Sequence, residues 1–292
     1  AACPQRSQAP NLLPSTRPVH ETAMYWLFRG TGNMGADEVL LSPQAIDRLN
    51  RCLAARGEGV AVADLTRPLS GRLLDKVNTR LRALHARLLK KKLLTAQGYP
   101  LAVDLLERFA PVKHLPKLID RVHVALQDIP VRCGPSRRSF YKSDLDLRFD
   151  GNNCSTIRAQ EPLRILARWK DDLLLVRTRY TMGWIDGASR LSPALRKDQK
   201  ERWLHGELFV ARGPTTLRSP TGVELAVSAT TRLPATGDGF VVFATANGFQ
   251  RAPAVGLVST RRPLTWRALL KEAFSYLHFP YGWGGENGGL DC

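Results

Sequence analysis

Nowhere in the 292 residues is there a run of about 20 apolar side chains, so no segment reads as a membrane-spanning helix. Cysteine is scarce. The five present (Cys3, Cys52, Cys133, Cys154, Cys292) form no CxxC pair and have no metal-ligand spacing with histidine, which argues against a zinc site. No metal or other cofactor is expected. His85, His114 and His123 have no acidic or cysteine partner at ligand spacing. There is no helix-turn-helix signature and no aromatic RNA-binding motif, so specific nucleic-acid recognition is not expected. Acidic residues are also short: 26 against 43 lysines and arginines, a net charge of +17. That excess suits nucleic acid, an anionic membrane surface or an acidic wall polymer, and equally an arginine-heavy solvated surface. Charge alone does not choose among them.

What is present reads as an α+β protein with 43% hydrophobic and 24% charged residues, long enough for two or three cores. The chain opens AAC, small residues before a cysteine, as at the end of a bacterial lipobox, which makes Cys3 a lipidation candidate. The competing reading is an ordinary cysteine in a tail. Residues 1–22, rich in Pro, Ser, Gln and Arg, are expected to be a tether or processed N-terminus. Residues 23–134 read as a helical segment. Ser42 and Pro43 make an N-cap and first-turn pair, followed by Ile46, Leu49 and Leu53 at helical spacing. A helix over about 70–94 carries Leu74, Val77, Leu81, Leu84 and Leu88 as an apolar stripe. Its other faces hold Arg72, Lys76, Arg80, Arg82, Arg87, Lys90, Lys91 and Lys92. Such a helix can lie on an anionic membrane, but more often the stripe packs on a domain and the charges are solvated.

Strand signals take over after CGPSRR (133–138). LRILARW (163–169), a KDD turn and LLLVR (173–177) predict a hairpin, and Gly183-Trp184-Ile185 a closing strand. Residues 135–195 are expected to form one small β-barrel. ELFVAR, VELAVSATTRLP, DGFVVFAT and APAVGLVS, punctuated by SPTG (219–222) and GDG (237–239), predict a second over 196–261. Thr265 is a plausible N-cap for a short helix with Trp266, Leu269, Leu270, Ala273 and Leu277 on one face. Cys52, Cys133 and Cys154 leave room for one disulfide in an oxidising compartment, with the pairing open.

The last thirteen residues, PYGWGGENGGLDC, organise the rest. Gly284, Gly285, Gly288 and Gly289 lie between an aromatic pair, Tyr281 and Trp283, and the Asp291–Cys292 step. This run resembles the active-site entry of NlpC-type cell-wall cysteine peptidases, a papain-like family with a Tyr-x-Trp-Gly-Gly … Asp-Cys-Ser-Gly signature. Tyr281, Trp283, Gly284, Gly285, Asp291 and Cys292 match, and the Ser-Gly half lies beyond the last residue. LSPQAIDRLN is similar to the helical stabilising segment of one branch of that family, and 139–188 to its SH3-like barrels. The resemblance implies an N-terminal stabilising segment, tandem SH3-like barrels and, from 262 to 292, the beginning of a papain-like domain. It implies that Cys292 is the nucleophile in cleavage of the γ-D-glutamyl–diamino acid bond of peptidoglycan stem peptides. Asp291 would bind the free amine of an N-terminal L-Ala, and Tyr281 and Trp283 would line the pocket. Tyr180 either reaches over the cleft or packs within its barrel. The family's base is a histidine downstream of the cysteine, and all six histidines here lie upstream. A fragment without activity of its own is therefore expected. The implied partners are stem peptides or muropeptides, with an anionic envelope surface as a further candidate. The implied location is the cell envelope, periplasmic or lipid-anchored. The competing function is a wall-binding module that holds peptidoglycan without cutting it.

Overall fold

The computed structural model describes residues 19, 22–29, 35–56, 65, 73–115, 117–277 and 281–288. In chain order the helices are α1 (Ala23–Arg29), α2 (Pro43–Arg56), α3 (Leu73–Lys90), α4 (Val103–Arg108), α5 (Lys197–Leu204) and α6 (Trp266–Ser275). The first seven strands are β1 (Val39–Leu41), β2 (Leu118–Val124), β3 (Ile129–Arg132), β4 (Asn153–Ile157), β5 (Pro162–Arg168), β6 (Leu173–Arg177) and β7 (Met182–Asp186). After them come β8 (Leu208–Ala211), β9 (Thr215–Arg218), β10 (Glu224–Val227), β11 (Arg232–Pro234), β12 (Phe240–Thr245), β13 (Gly248–Pro253), β14 (Leu257–Ser259) and β15 (Leu264–Thr265). A 3-10 turn, Trp283–Gly288, follows. The fold is thus mixed helix and sheet. Among the described residues no helix is long and apolar enough to cross a membrane.

The chain divides into two compact units, residues 1–62 with 259–279 and residues 63–258 with 280–292. In the first unit β1 pairs antiparallel with β15, and α1 packs against α6. Arg267 grips Asp37 with two hydrogen bonds of 2.7 and 2.9 Å, and its backbone N–H donates to Ala36 O. The two caps read from the sequence form. The N–H of Ala45 donates to Ser42 Oγ (3.2 Å) and that of Ala268 to Thr265 Oγ1 (3.1 Å), each satisfying a donor left open at a helix start.

The second unit is built on a six-stranded antiparallel sheet in the order β2-β5-β6-β7-β3-β4. Alternation along LLLVR sends Leu173 and Leu175 to one face and Leu174 and Val176 to the other, and both faces are covered. On the first face α3 lays down Leu73, Val77 and Leu81 against Trp169, Leu175 and Trp184. The stripe begins at Leu73 rather than Leu74, and Leu84 is only partly buried. On the second face Ile129, Val131, Ile157, Leu163, Val176 and Ile185 pack together. A register shift between Ile165 and Ala167 puts Ala167 on the same helix-covered face as Leu166, which is why Ile165, Leu166 and Ala167 are apolar without a break. The side chain of Asn78 exchanges two 2.8 Å bonds with the backbone of Val112. Arg80 reaches under the sheet, donating to Cys133 O (3.0 Å) and to Met182 O. Burial of that guanidinium lowers its pKa from the usual arginine value.

The predicted hairpin forms as β5, a 3-10 turn over Lys170–Asp172, and β6. Three elements depart from the expectation: β1, β2 and β3 lie within the stretch read as helical. In LIDRVHV only Val122 and Val124 are buried, so the period-two signal is two residues long. The open choice among the cysteines resolves as a Cys133–Cys154 disulfide tying the end of β3 to β4.

The second strand group has its own core of Leu217, Leu233, Val241, Phe243 and Ala252. It pairs as β10-β9, β11-β8-β14 and β12-β13. Backbone pairing among the described residues closes neither group into a barrel. The two groups meet through Val122, Val124, Trp203, Val242 and Ala244, and through Gln160, whose buried side chain bonds both the N–H (2.7 Å) and the carbonyl (3.1 Å) of Ala244.

His123 on β2 sits with Nδ1 2.8 Å from Ser192 O. Burial, then the nearby charge of Arg121, lower its pKa below 6.5, and the Ser192 carbonyl opposes them. The unfolded chain therefore binds the proton more readily. The contribution of His123 to stability is complete above about pH 6.5 and is lost as the pH falls toward the folded value. Chemical denaturation between pH 7.5 and 5 should show this slope, and a His123→Gln variant should flatten it.

Candidate functional site

The Tyr281–Gly285 segment is clamped onto β4, the edge strand of the six-stranded sheet. Asn153 and Trp283 exchange hydrogen bonds across 130 positions: Asn153 Nδ2 donates to Trp283 O (2.8 Å) and Trp283 Nε1 donates to Asn153 O (3.1 Å). Phe149 adds an aromatic wedge, its ring 5.5 Å from that of Trp283 (edge to face) and 5.8 Å from that of Tyr281. The glycines are required here. Gly284 and Gly285 have φ of +62° and +77°, and a Cβ on Gly284 would stand 2.7 Å from Asn153 Nδ2 and 3.2 Å from the backbone nitrogen of Ser155. Gly285 rides over Thr156, with 3.6 Å between an added Cβ and the Thr156 Cβ.

The loop leading into β4 is built to be rigid. The buried Asp150 carboxylate accepts from Arg132 Nη1 (2.5 Å), Ser139 Oγ (2.6 Å) and the N–H groups of Asn152 (2.8 Å) and Phe140 (3.2 Å). Asn152 accepts from Gly134 N–H and donates to the carbonyls of Ser136 and Arg138. With the disulfide, these bonds fix the strand carrying Asn153 and the loop carrying Phe149.

Tyr180, on the β6–β7 loop, arrives at the same strand. Its hydroxyl is 2.6 Å from Glu161 Oε2 and 3.1 Å from Thr156 O, two acceptors for one proton. The residue as a whole is 36% exposed, while its hydroxyl end is held between these two acceptors. Burial of that end, then the charge of Glu161, push the phenol well above the usual tyrosine value, so it stays a donor. Glu161 also accepts from the N–H of Arg158 (3.1 Å), while Arg158 Nη1 donates to Asp128 (2.8 Å). A small pocket of about 30 Å³ beside Tyr180 is lined by Glu161, Arg179, Trp203 and Arg232. A roomier cleft of about 640 Å³, lined by Arg108, His114, Trp169 and Asp171, contains none of the candidate site residues.

The structure therefore brings Trp283 and Tyr180 onto β4, and Tyr281 against Phe149 in the loop leading into it. Cys292, Asp291 and Cys3 lie outside the described residues. Sequence reasoning missed Phe149, Asn153, Thr156 and Glu161, which hold the segment and orient Tyr180. Among the described residues no cluster of three or more His, Cys, Asp or Glu is placed to hold a metal ion.

The chain matches no protein-family model and no curated protein. It does match solved structures. One, described as a novel NlpC/P60 endopeptidase from Photobacterium damselae subsp. piscicida, aligns over 92% of this chain with a TM-score of 0.65 at 14% identity. The likeness is one of fold. This chain spans 64% of the length of that structure. An NlpC/P60 family protein from Bacillus cereus aligns over 59% of this chain and 68% of its own, at 12% identity and a TM-score of 0.43. Within this fold, the clamp joins two parts of the chain that differ in character: a rigid β-sheet, and the aromatic–glycine segment that leads to Asp291 and Cys292.

Proposed function

We propose that this protein is a cell-wall cysteine endopeptidase that cuts the γ-D-glutamyl–diamino acid bond of peptidoglycan stem peptides. The observation that carries the reading is the docking of the Tyr281–Gly285 segment on β4, with the Tyr180 hydroxyl on the same strand. The two strand groups act as tandem SH3-like modules, a role supported by their short antiparallel strands and separate apolar cores. The Cys133–Cys154 bond supports an oxidising location such as the periplasm, and Cys3 remains the candidate for a lipid anchor.

In this reading the Cys292 thiolate attacks the γ-carbonyl carbon, forming a C–S bond and a tetrahedral oxyanion. Collapse expels the amine of the diamino acid, which takes a proton from the general-base histidine that the family carries downstream of the cysteine. Water, deprotonated by the same base, then releases the thioester. Asp291 and the Glu161–Tyr180 pair supply acceptor oxygens for the ammonium of an N-terminal L-Ala, and Tyr281 and Trp283 form a wall of the pocket.

The test is hydrolysis of L-Ala-γ-D-Glu-diaminopimelate by the full-length gene product. Release of the diamino acid, lost by more than about a thousandfold in Cys292→Ala, is the expected result. No hydrolysis by the unaltered protein, with binding to wall fragments retained, would assign the chain to non-catalytic wall binding.

A further inference from the structure

Because the apolar stripe of α3 is consumed in the core, the basic residues of this helix are not the polar back of a membrane-inserted helix. Its C-terminal end is different. Lys90, Lys91 and Lys92 are exposed in succession beside the partly exposed Arg87, and none of their side chains has a partner among the described residues. Apolar groups stand out in the same place: Leu89 is 63% exposed and Tyr99 70%. The 141–149 loop continues this surface. Leu94 bridges to Tyr141, and Gly98 lies against Leu145, 3.6 Å from an added Cβ to its Cδ2. That loop adds Lys142 and Leu147, the latter 54% exposed. The acidic groups facing the patch are few. Asp146 is taken up by Arg148 (2.8 and 3.0 Å), which leaves Asp144 against five cations.

We infer that this face, the end of α3 with the 91–100 and 141–149 loops, docks on an anionic phospholipid bilayer. A soluble polyanion would be satisfied by the lysines alone and gives no reason for Leu89, Tyr99 and Leu147 to protrude. A bilayer uses both kinds of group. The ammonium groups sit among the phosphates, and the leucines and the tyrosine ring enter the boundary between headgroups and acyl chains. Phe149, at the end of the same loop, wedges the Tyr281–Trp283 segment, so docking would hold the candidate site beside the membrane surface. The inference does not depend on the peptidase reading.

The experiment is co-sedimentation of the full chain with vesicles of phosphatidylcholine alone or mixed with phosphatidylglycerol. Binding to the anionic vesicles only is expected. It should be weakened about a hundredfold by K90E/K91E/K92E, and several-fold by Leu89→Ser or Tyr99→Ser at unchanged charge. All the altered side chains are exposed, and circular dichroism should confirm an unchanged fold. Equal sedimentation with both vesicle types, or no effect of the triple charge reversal, would overturn the inference. So would binding indifferent to Leu89→Ser and Tyr99→Ser and competed fully by dextran sulfate, which would mark a site for soluble polyanions.

Discussion

Replacing Trp283 by alanine is expected to lower kcat/KM on a γ-D-glutamyl peptide by about a hundredfold, with most of the loss in kcat. The substitution removes the indole N–H bond to Asn153 O and the edge-to-face contact with Phe149. The bond from Asn153 Nδ2 to the backbone of residue 283 survives as the only direct tether of that pair. A segment that has lost these two ties samples positions an ångström or more away, and misplacement of that size is enough to cost two orders of magnitude in a reaction set by geometry. Trp283→Phe keeps a ring against Phe149 and should fall between. Thermal stability should hardly change, because the clamp is at the edge of the sheet and outside the main apolar clusters. A kcat that survives the alanine substitution would show that the position of the nucleophile does not depend on β4.

The largest loss of stability is expected from Trp184→Ala, about 3–5 kcal/mol. Trp184 is fully buried, meets Trp169 edge to face at 5.4 Å, and sits where α3 covers the sheet. The neighbouring Gly183 tightens the site. A Cβ there would come within 2.4 Å of Arg132 O, so β3 and β7 approach too closely to collapse into the cavity that alanine leaves. Trp184 Nε1 has no hydrogen-bond partner among the described residues, so Trp184→Phe loses volume but no bond there and should cost clearly less. Urea unfolding of the three proteins would measure the order; equal midpoints for alanine and wild type would mean that this core is not what holds the unit together.

The residues differ in how openly they announced these roles. The 163–186 region was legible because apolar runs of strand length are broken by a charged turn, a pattern set within a few neighbouring residues. The caps at Ser42 and Thr265 were legible for the same reason. The β2 strand was hidden because Asp120, Arg121 and His123 interrupt its apolar residues, and its pairing with β5 is decided forty residues later. The candidate site was legible only at its motif end. Asn153 sits in GNNCST, a polar run whose usual meaning is a turn, and nothing near it in sequence reveals that its partner lies 130 residues away. Glu161 and Phe149 likewise acquire meaning only when Tyr180 and Trp283 arrive. The cysteine pairing was open because three candidates without a motif do not rank themselves; the adjacency of β3 and β4 decides it.

The first compact unit has a consequence for biosynthesis. Asp37 and Arg267 are 230 positions apart, so β1 and α1 leave the ribosome long before β15 and α6 exist. At about 5–20 residues per second the wait is on the order of 10–45 s. Throughout that time β1 lacks its strand partner β15 and α1 lacks the helix α6 that packs against it, while the intervening sheet can already fold. The N-terminal segment is therefore the last to settle and the part most dependent on a chaperone to keep it from pairing elsewhere.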